Sequence, residues 1–212
     1  MQAAKGAVSM VSKVEPLTKA QIRSKILLKL KRQKEDTRDR KSRLILKKLF
    51  RTREFIRAKT VMFYIAFGGE VNTREMIKEA QNLGKIVTVP VVRRSSPLAR
   101  SKVKMPVCKR NRATLRPSIL YDNSGFKKGP YGVCEPSAKR FIRLRDLGLV
   151  IVPGVAFDKK GNRLGRGKGC YDHFLKRIPK DISSIGLAFD FQILPSIPAT
   201  ALDVSVDKII FA

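Results

Sequence analysis

Apolar positions along this chain follow two rhythms. From Thr18 onward, Ile22, Ile26 and Leu30 recur every fourth residue, and Thr18 with Gln21 has the spacing of a capping box, so a helix starts here. After a polar interval, Ile45, Leu46, Leu49 and Phe50 continue a helical stripe, which predicts two N-terminal helices or one broken helix. Residues 61–67 form a compact apolar run with β-branched and aromatic members, closed by Gly68 and Gly69. Asn72 or Thr73 can cap the helix that follows, and Gly84 stops it. Residues 86–92 are the next strand. Strand, helix, strand in this order requires a parallel pair with a crossover helix.

The region 93–126 carries no clear period; short apolar pieces are separated by Pro97, Pro106 and Pro117. Regularity returns at 147–152, an unbroken apolar segment of the kind buried on both faces of a sheet. Residues 185–189 and 206–211 are two more strands. Buried strands alternating with helices predict an α/β fold, a three-layer domain with a mostly parallel central sheet flanked by helices. With no internal repeat or low-complexity tract, residues 19–212 are expected to form one domain behind a flexible N-terminal extension, 1–18.

Composition narrows the class. Lys and Arg number 46 against 17 Asp and Glu in 212 residues, a net charge of +29, yet 43% of the residues are hydrophobic. That excludes a disordered polybasic tail, because enough Leu, Ile, Val and Phe is present to bury a core. No apolar run reaches the roughly 18 residues of a membrane span; the richest stretch is broken by Pro153 and Gly154. Cys108, Cys134 and Cys170 are far apart and form no C-x-x-C pair, so neither a disulfide framework nor a zinc site is indicated. The first eighteen residues lack the basic start and apolar block of a secretory signal, and a cytoplasmic protein without membrane contact is expected. So basic a chain attracts polyanions. Arg93, Arg94, Arg100, Lys102, Lys104, Lys109, Arg110, Arg112 and Arg116 lie in one stretch with no acid between them.

The sharpest local signal is PGVAFDKKGNRLGRGKGCYDHFL, residues 153–175. A buried strand ends at Val152, and a loop then interleaves Gly161, Gly165, Gly167 and Gly169 with Arg163, Arg166 and Lys168 before a helix begins near Tyr171. Glycines let the backbone take positive φ and bring consecutive amides onto phosphate oxygens, and the helix start adds its free N–H groups to the same field. The spacing is neither a P-loop nor G-x-G-x-x-G. A flexible surface turn in a basic protein is the plainer alternative. Asp172 weighs against that, since a carboxylate next to a phosphate loop can hold Mg²⁺ against phosphate oxygens. Cys170 at a helix start could be an acidified thiol, but no base partner is visible and an inert thiol is expected. His173, the one histidine, has no nucleophile placed with it and is taken as structural.

At RLGRGKGCYDHFL the chain resembles the 5-formyltetrahydrofolate cyclo-ligases, also called methenyltetrahydrofolate synthetases. The likeness runs from Lys19 through KAQIR, EVNT, GKIVTVPVV, GVCEP, VIVPGVAFDKKGNRLGRGKG and IGLAFDFQ to Asp203. It implies an α/β fold that binds ATP, Mg²⁺ and 5-formyltetrahydrofolate and closes the folate to the 5,10-methenyl form with release of ADP and phosphate. By this resemblance Lys19 and Arg23 belong to the ATP site, as do Arg163, Leu164, Gly165, Arg166, Gly167, Lys168, Gly169, Cys170 and Tyr171. Glu70, Arg166 and Cys170 would face the folate, Asp172 and Asp203 would hold magnesium, and Arg163, Arg166, Lys168 and Tyr171 would serve catalysis. Taken singly, several have plainer readings: Lys19 and Arg23 as a solvated face, Glu70 as a loop acid, Asp203 as a turn residue after Pro198.

Two positions depart from the family pattern. Cys170 stands where a first aromatic is usual, and Leu202 where a polar residue, often His, precedes the second aspartate. A second class of function stays open at this point: a basic nucleic-acid-binding protein on the same fold, in which the stretch 93–116 makes non-specific, salt-sensitive contact. Against it stand the absence of Trp and the 7% of aromatic residues, which leave no platform for stacking bases. A monomer is expected.

Overall fold

The structure, a computed structural model, describes residues 17–93, 114–121, 125–132 and 134–212. The expected flexible extension up to residue 16, and the cations and Cys108 within 94–112, lie outside the described residues.

Two separate helices open the chain. Helix α1 (Lys19–Arg32) starts at the capping box read from the sequence: the Thr18 hydroxyl accepts from the Gln21 N–H, and Gln21 Oε1 accepts from the Thr18 N–H. Ile22, Ile26 and Leu30 form its buried stripe. Gln33 and Lys34 are extended and break the run, α2 (Glu35–Phe50) buries Ile45 and Leu49, and α3 (Arg53–Arg57) is a short turn buried through Phe55.

Strand β1 (Thr60–Met62) is shorter than the apolar run 61–67. Phe63 still donates to Thr88 O, but the chain then leaves the ladder. Phe63 and Tyr64 remain buried, so apolarity persists where strand geometry has ended. Gly68 and Gly69 at positive φ turn the backbone; a Cβ on Gly69 would lie 2.3 Å from the Leu30 carbonyl oxygen. Crossover helix α4 (Arg74–Asn82) has Thr73 at its N-cap position, but the Thr73 hydroxyl donates back to Tyr64 O, and the Asn72 side chain accepts from the Arg74 N–H. Strand β2 (Ile86–Arg93) then pairs parallel with β1, as the strand–helix–strand order requires.

The unreadable middle contains β3 (Thr114–Ile119), antiparallel to β2 and at the sheet edge. Pro90 faces Pro117 in this ladder. The side of Pro90 that lacks a donor points past the early end of β1, and Pro117 sits on an edge, so neither proline breaks a ladder bond. A small hairpin, β4 (Phe126–Lys128) and β5 (Cys134–Pro136), follows. Strand β6 (Leu149–Val152) is buried at all four positions. After β7 (Ala156–Asp158), β8 (Arg163–Leu164) and α5 (Cys170–Leu175) come β9 (Ser183–Ala188), β10 (Ile193–Leu194) and β11 (Lys208–Phe211).

The main sheet runs β11-β9-β6-β1-β2-β3, parallel except for β3; β7, β8 and β10 form a three-stranded side sheet. One face carries Val61, Val87, Leu149, Ile151 and Ile185 against α1, α2 and α4. The other carries Met62, Val150, Val152 and Ala188 against α5 and Ile182. This is the expected three-layer arrangement, with the second layer thin. Phe157 is packed there against two glycines: a Cβ on Gly154 or Gly186 would come within 2.6 Å of its ring. Gly186→Ala should therefore cost about 1–3 kcal/mol by overpacking, read as a lowered urea midpoint at unchanged m-value.

Candidate active site

In sheet order, β1 stands between β2, which follows it in sequence, and β6, which starts the run toward the other edge. The order in which successive strands are added reverses at that point, and a crevice opens beyond the strands' carboxyl ends. A cleft of about 440 Å³ occupies it.

The glycine loop forms one wall. Gly167 and Gly169 take positive φ, and Arg23 Nε donates to Gly165 O at 2.8 Å, so α1 holds the loop by its backbone. Arg163 lies beneath the loop, only 5% exposed. Its Nη2 donates to Asp172 Oδ1 at 2.6 Å and its Nη1 to Pro153 O at 3.4 Å. Asp172 Oδ1 also accepts from the Val204 N–H, 3.3 Å away. Asp203 Oδ2 accepts from Lys19 Nζ, from the Thr200 N–H and from the Thr200 hydroxyl. Burial raises the Asp203 pKa, but the bonds from Lys19 and Thr200 outweigh it and hold the carboxyl below its ordinary range.

The opposite wall comes from the segment after β1. Glu70, 7% exposed, receives Arg166 Nε at 3.0 Å and the Phe67 N–H at 3.3 Å. The Arg166 guanidinium lies 4.2 Å over the Phe67 ring and donates to the Phe67 carbonyl, and it fills the space a Cβ on Gly68 would need. Burial raises the Glu70 pKa above its ordinary value, and Arg166 opposes that only in part. Tyr171 adds a hydroxyl that is buried and has no partner among the described residues; burial, and then the nearby Glu70, push its pKa far above the usual phenol range. That hydroxyl stays a neutral donor.

Of the residues singled out from sequence, Arg23, Glu70, Asp203 and the run 163–173 line this one cleft. Lys19 reaches it through Asp203. One expectation needs correction: the helix after the loop has only six residues, so its dipole adds less than a long helix would. His173, expected to be structural, is among the residues of the cleft wall. The Cys170 thiol is pushed up by burial, which fits an inert group. Sequence reading missed Tyr64, Ile65 and Phe67, which lie beyond the carboxyl end of a strand, and Lys176, one turn after Asp172 on the same helix side.

A profile of the 5-formyltetrahydrofolate cyclo-ligase family matches residues 16–212. The chain belongs to that family. A probable 5-formyltetrahydrofolate cyclo-ligase of Caenorhabditis elegans is 30% identical over 190 residues, 84% of each chain. The Mus musculus 5-formyltetrahydrofolate cyclo-ligase is 27% identical over 198 residues, 90% of this chain and 91% of its own. Among solved structures, the Aquifex aeolicus 5,10-methenyltetrahydrofolate synthetase superposes with a TM-score of 0.73 at 28% identity, covering 91% of this chain and 89% of that one.

Cyclo-ligase chemistry raises the question of a metal. Among the described residues no group of three or more His, Cys, Asp or Glu could hold an ion by itself. Asp172 and Asp203 both face the cleft and each is already neutralised by a cation. Two carboxylates fit Mg²⁺ held mainly by phosphate oxygens and water, the usual mode for this ion.

The two acids should behave differently as structural elements. Asp172→Asn leaves Arg163 buried without its counter-charge and should cost about 3 kcal/mol. Asp203→Asn should cost less than about 1 kcal/mol, because the Lys19 pair is partly solvated. Urea unfolding of the two variants checks the ranking. Glu70 has its folded pKa above the unfolded one, so its contribution is full below the unfolded value and is lost as pH rises through the folded value. Glu70→Gln should flatten the stability profile across that window, measured by unfolding at a series of pH values.

Proposed function

We propose that this chain uses ATP to close 5-formyltetrahydrofolate to 5,10-methenyltetrahydrofolate, releasing ADP and phosphate. The observation that carries this reading is the convergence on one cleft of a glycine-turned loop, its cations, two neutralised aspartates and the buried Glu70. The N5-formyl oxygen is a poor leaving group. Transfer of the γ-phosphoryl group to that oxygen activates the formyl carbon, N10 attacks it and loses its proton, and the oxygen departs as phosphate. Such transfer calls for positioning and charge neutralisation more than for covalent help from the protein.

The loop amides of 164–169, with Arg166 and Lys168, are suited to the transferred phosphoryl group. Arg23 fixes the loop by its carbonyl, and Lys19 adds positive charge at the triphosphate. Asp172 and Asp203 would hold Mg²⁺, which supplies charge neutralisation on phosphate oxygens when bound. Arg163, buried and paired with Asp172, orients that acid rather than meeting substrate directly. Glu70 and Arg166 face the folate, and the neutral Tyr171 hydroxyl is suited to donate a hydrogen bond to it.

The same reading takes 19–212 as one domain and the chain as a monomer. Three widely separated cysteines support a reducing, cytoplasmic setting. No helix among the described residues is long and apolar enough to cross a membrane. The basic stretch behind the nucleic-acid alternative lies mostly outside the described residues, and nothing in the comparisons favours it. Purified protein with Mg²⁺, ATP and 5-formyltetrahydrofolate should generate the methenyl chromophore. Arg166→Ala should reduce kcat/KM by roughly 10²–10³, as for loss of one preorganised donor. No chromophore under any condition would overturn the proposal.

A further inference from the structure

Asp158, the last residue of β7, is a charged group placed where almost no solvent reaches it, at 1% exposure. The bonds it accepts from described residues all come from N–H groups. Its Oδ1 accepts from the Lys160 and Asn162 amides at 2.9 and 3.1 Å, which closes the turn between β7 and β8. Its Oδ2 accepts from the Asn162 side-chain amide at 2.9 Å and from the Ile197 N–H at 3.0 Å. Burial raises the Asp158 pKa, but these bonds outweigh it and hold the carboxyl below its ordinary range.

Three of the bonds are local, whereas the fourth crosses the fold. Ile197 opens the segment 197–206, which carries Thr200 and Asp203, and at its far end the Val206 N–H donates to Gly161 O of the same turn at 2.9 Å. Both ends of the segment are thus fastened to the β7–β8 turn. Pro195 and Pro198 have no N–H, which leaves Ser196 and Ile197 as the backbone donors of that stretch. In the other direction the turn leads through β8 to Arg163, which pairs with Asp172. One carboxylate therefore joins the approach to Asp172 to the approach to Asp203, without standing on the cleft wall itself.

Resting on the cyclo-ligase reading, we propose that Asp158 is a positioning residue: its bond to Ile197 sets the separation of Asp172 and Asp203, and with it the affinity of the cleft for a magnesium-bound triphosphate. Asp158 touches neither substrate nor metal. Its local bonds hold the turn, and its bond to Ile197 aligns the two acids.

These two roles come apart when the side chains are exchanged. In the double variant Asp158→Asn with Asn162→Asp, the new amide nitrogen faces the new carboxylate and its oxygen still faces the turn amides, but the Ile197 N–H meets a donor instead of an acceptor. Asn162→Ala does the reverse: it weakens the turn and keeps the Ile197 bond. Calorimetric titration with a non-hydrolysable ATP analogue, with Mg²⁺ and again in EDTA, reads what the ion adds to nucleotide affinity. The exchanged variant should lose about tenfold with Mg²⁺, within what a small misplacement of a preorganised group costs, and less than about twofold in EDTA. Asn162→Ala should lose less than about twofold in both, and neither variant should move the affinity for 5-formyltetrahydrofolate alone by more than about twofold. A merely structural Asp158 would instead weaken every ligand in step with the urea midpoint. In the wild type, hydrogen exchange followed by NMR should show the Ile197 amide protected, and protected further when Mg²⁺ and the analogue bind.

A wild type to which Mg²⁺ adds no nucleotide affinity, or an exchanged variant with no loss or with equal losses in Mg²⁺ and EDTA, overturns the role of Asp158, whether or not methenyl product forms. Should the exchanged variant not fold, an Ile197 amide indifferent to Mg²⁺ and the analogue overturns it as well. Wild type that binds the analogue with Mg²⁺ and yields no methenyl product overturns the cyclo-ligase reading instead. The loss in the exchanged variant would then support the positioning role in a nucleotide cleft of other chemistry.

Discussion

The ion pair between Arg163 and Asp172 is the contact on which the site depends. Both partners are largely buried, and they bracket the loop 164–169 in sequence. Joining the loop's two ends by one short charge-assisted bond fixes the separation that the intervening glycines must span. The loop can then be rich in glycine without being slack. The pair also explains how an arginine can be placed where it scarcely meets solvent: its buried guanidinium is matched by the Asp172 carboxylate, 2.6 Å away. Arg163 Nε has no hydrogen-bond partner among the described residues, so the bonding capacity of the guanidinium is not exhausted by this one acid.

Longer-range contacts of the same kind assemble the rest. Lys19 to Asp203, Arg23 to Gly165 O and Arg166 to Glu70 each join segments far apart in sequence. In a chain of net charge +29 acids are scarce, and the cleft engages Glu70, Asp172 and Asp203 together. The consequence is a site whose carboxylates are neutralised from within while several further cations remain on the wall. Such a field favours a polyanionic ligand over a neutral one. It also means that a ligand competing for Arg166 or Lys19 must release an acid, so binding and rearrangement of these pairs are linked.

Legibility in the sequence followed the physics of each signal. The capping box at Thr18, the α4 crossover and the all-buried β6 could be read because periodicity and end signals are local. Strand β3 could not: TLRPSI has one proline facing Pro90 across the ladder, and its tolerance depends on its being an edge opposite a gap, which is a tertiary fact. The early end of β1 was hidden for a related reason, since Phe63 and Tyr64 stay buried after leaving the ladder and so keep the apolar pattern. At the site, the motif residues were legible as a set. Their individual roles were not, because burial separates Arg163 from Arg166 and no spacing rule reports burial. Phe67 was missed because its part is played through its backbone and ring face on Arg166, and neither leaves a composition signal.

The short β1 links fold to site. Because its pairing stops at Met62 opposite Thr88, no strand among the described residues pairs with the rest of β2 on that side. Pro90 uses part of the gap without a donor to satisfy. At Val92 the free N–H is taken by Glu135 Oε1 at 2.8 Å, and Lys139 neutralises that buried acid. The one free donor of the opening is therefore taken by a side chain delivered from the β4–β5 hairpin, not left for a passing strand to claim. Pro90, Val92 and Leu115 can then serve as a dry cleft wall. Extending β1 by two residues would add ladder bonds and close the crevice. The fold gives up that pairing, and the loop from Tyr64 to Glu70 gains the freedom to carry Phe67 and Glu70 to Arg166.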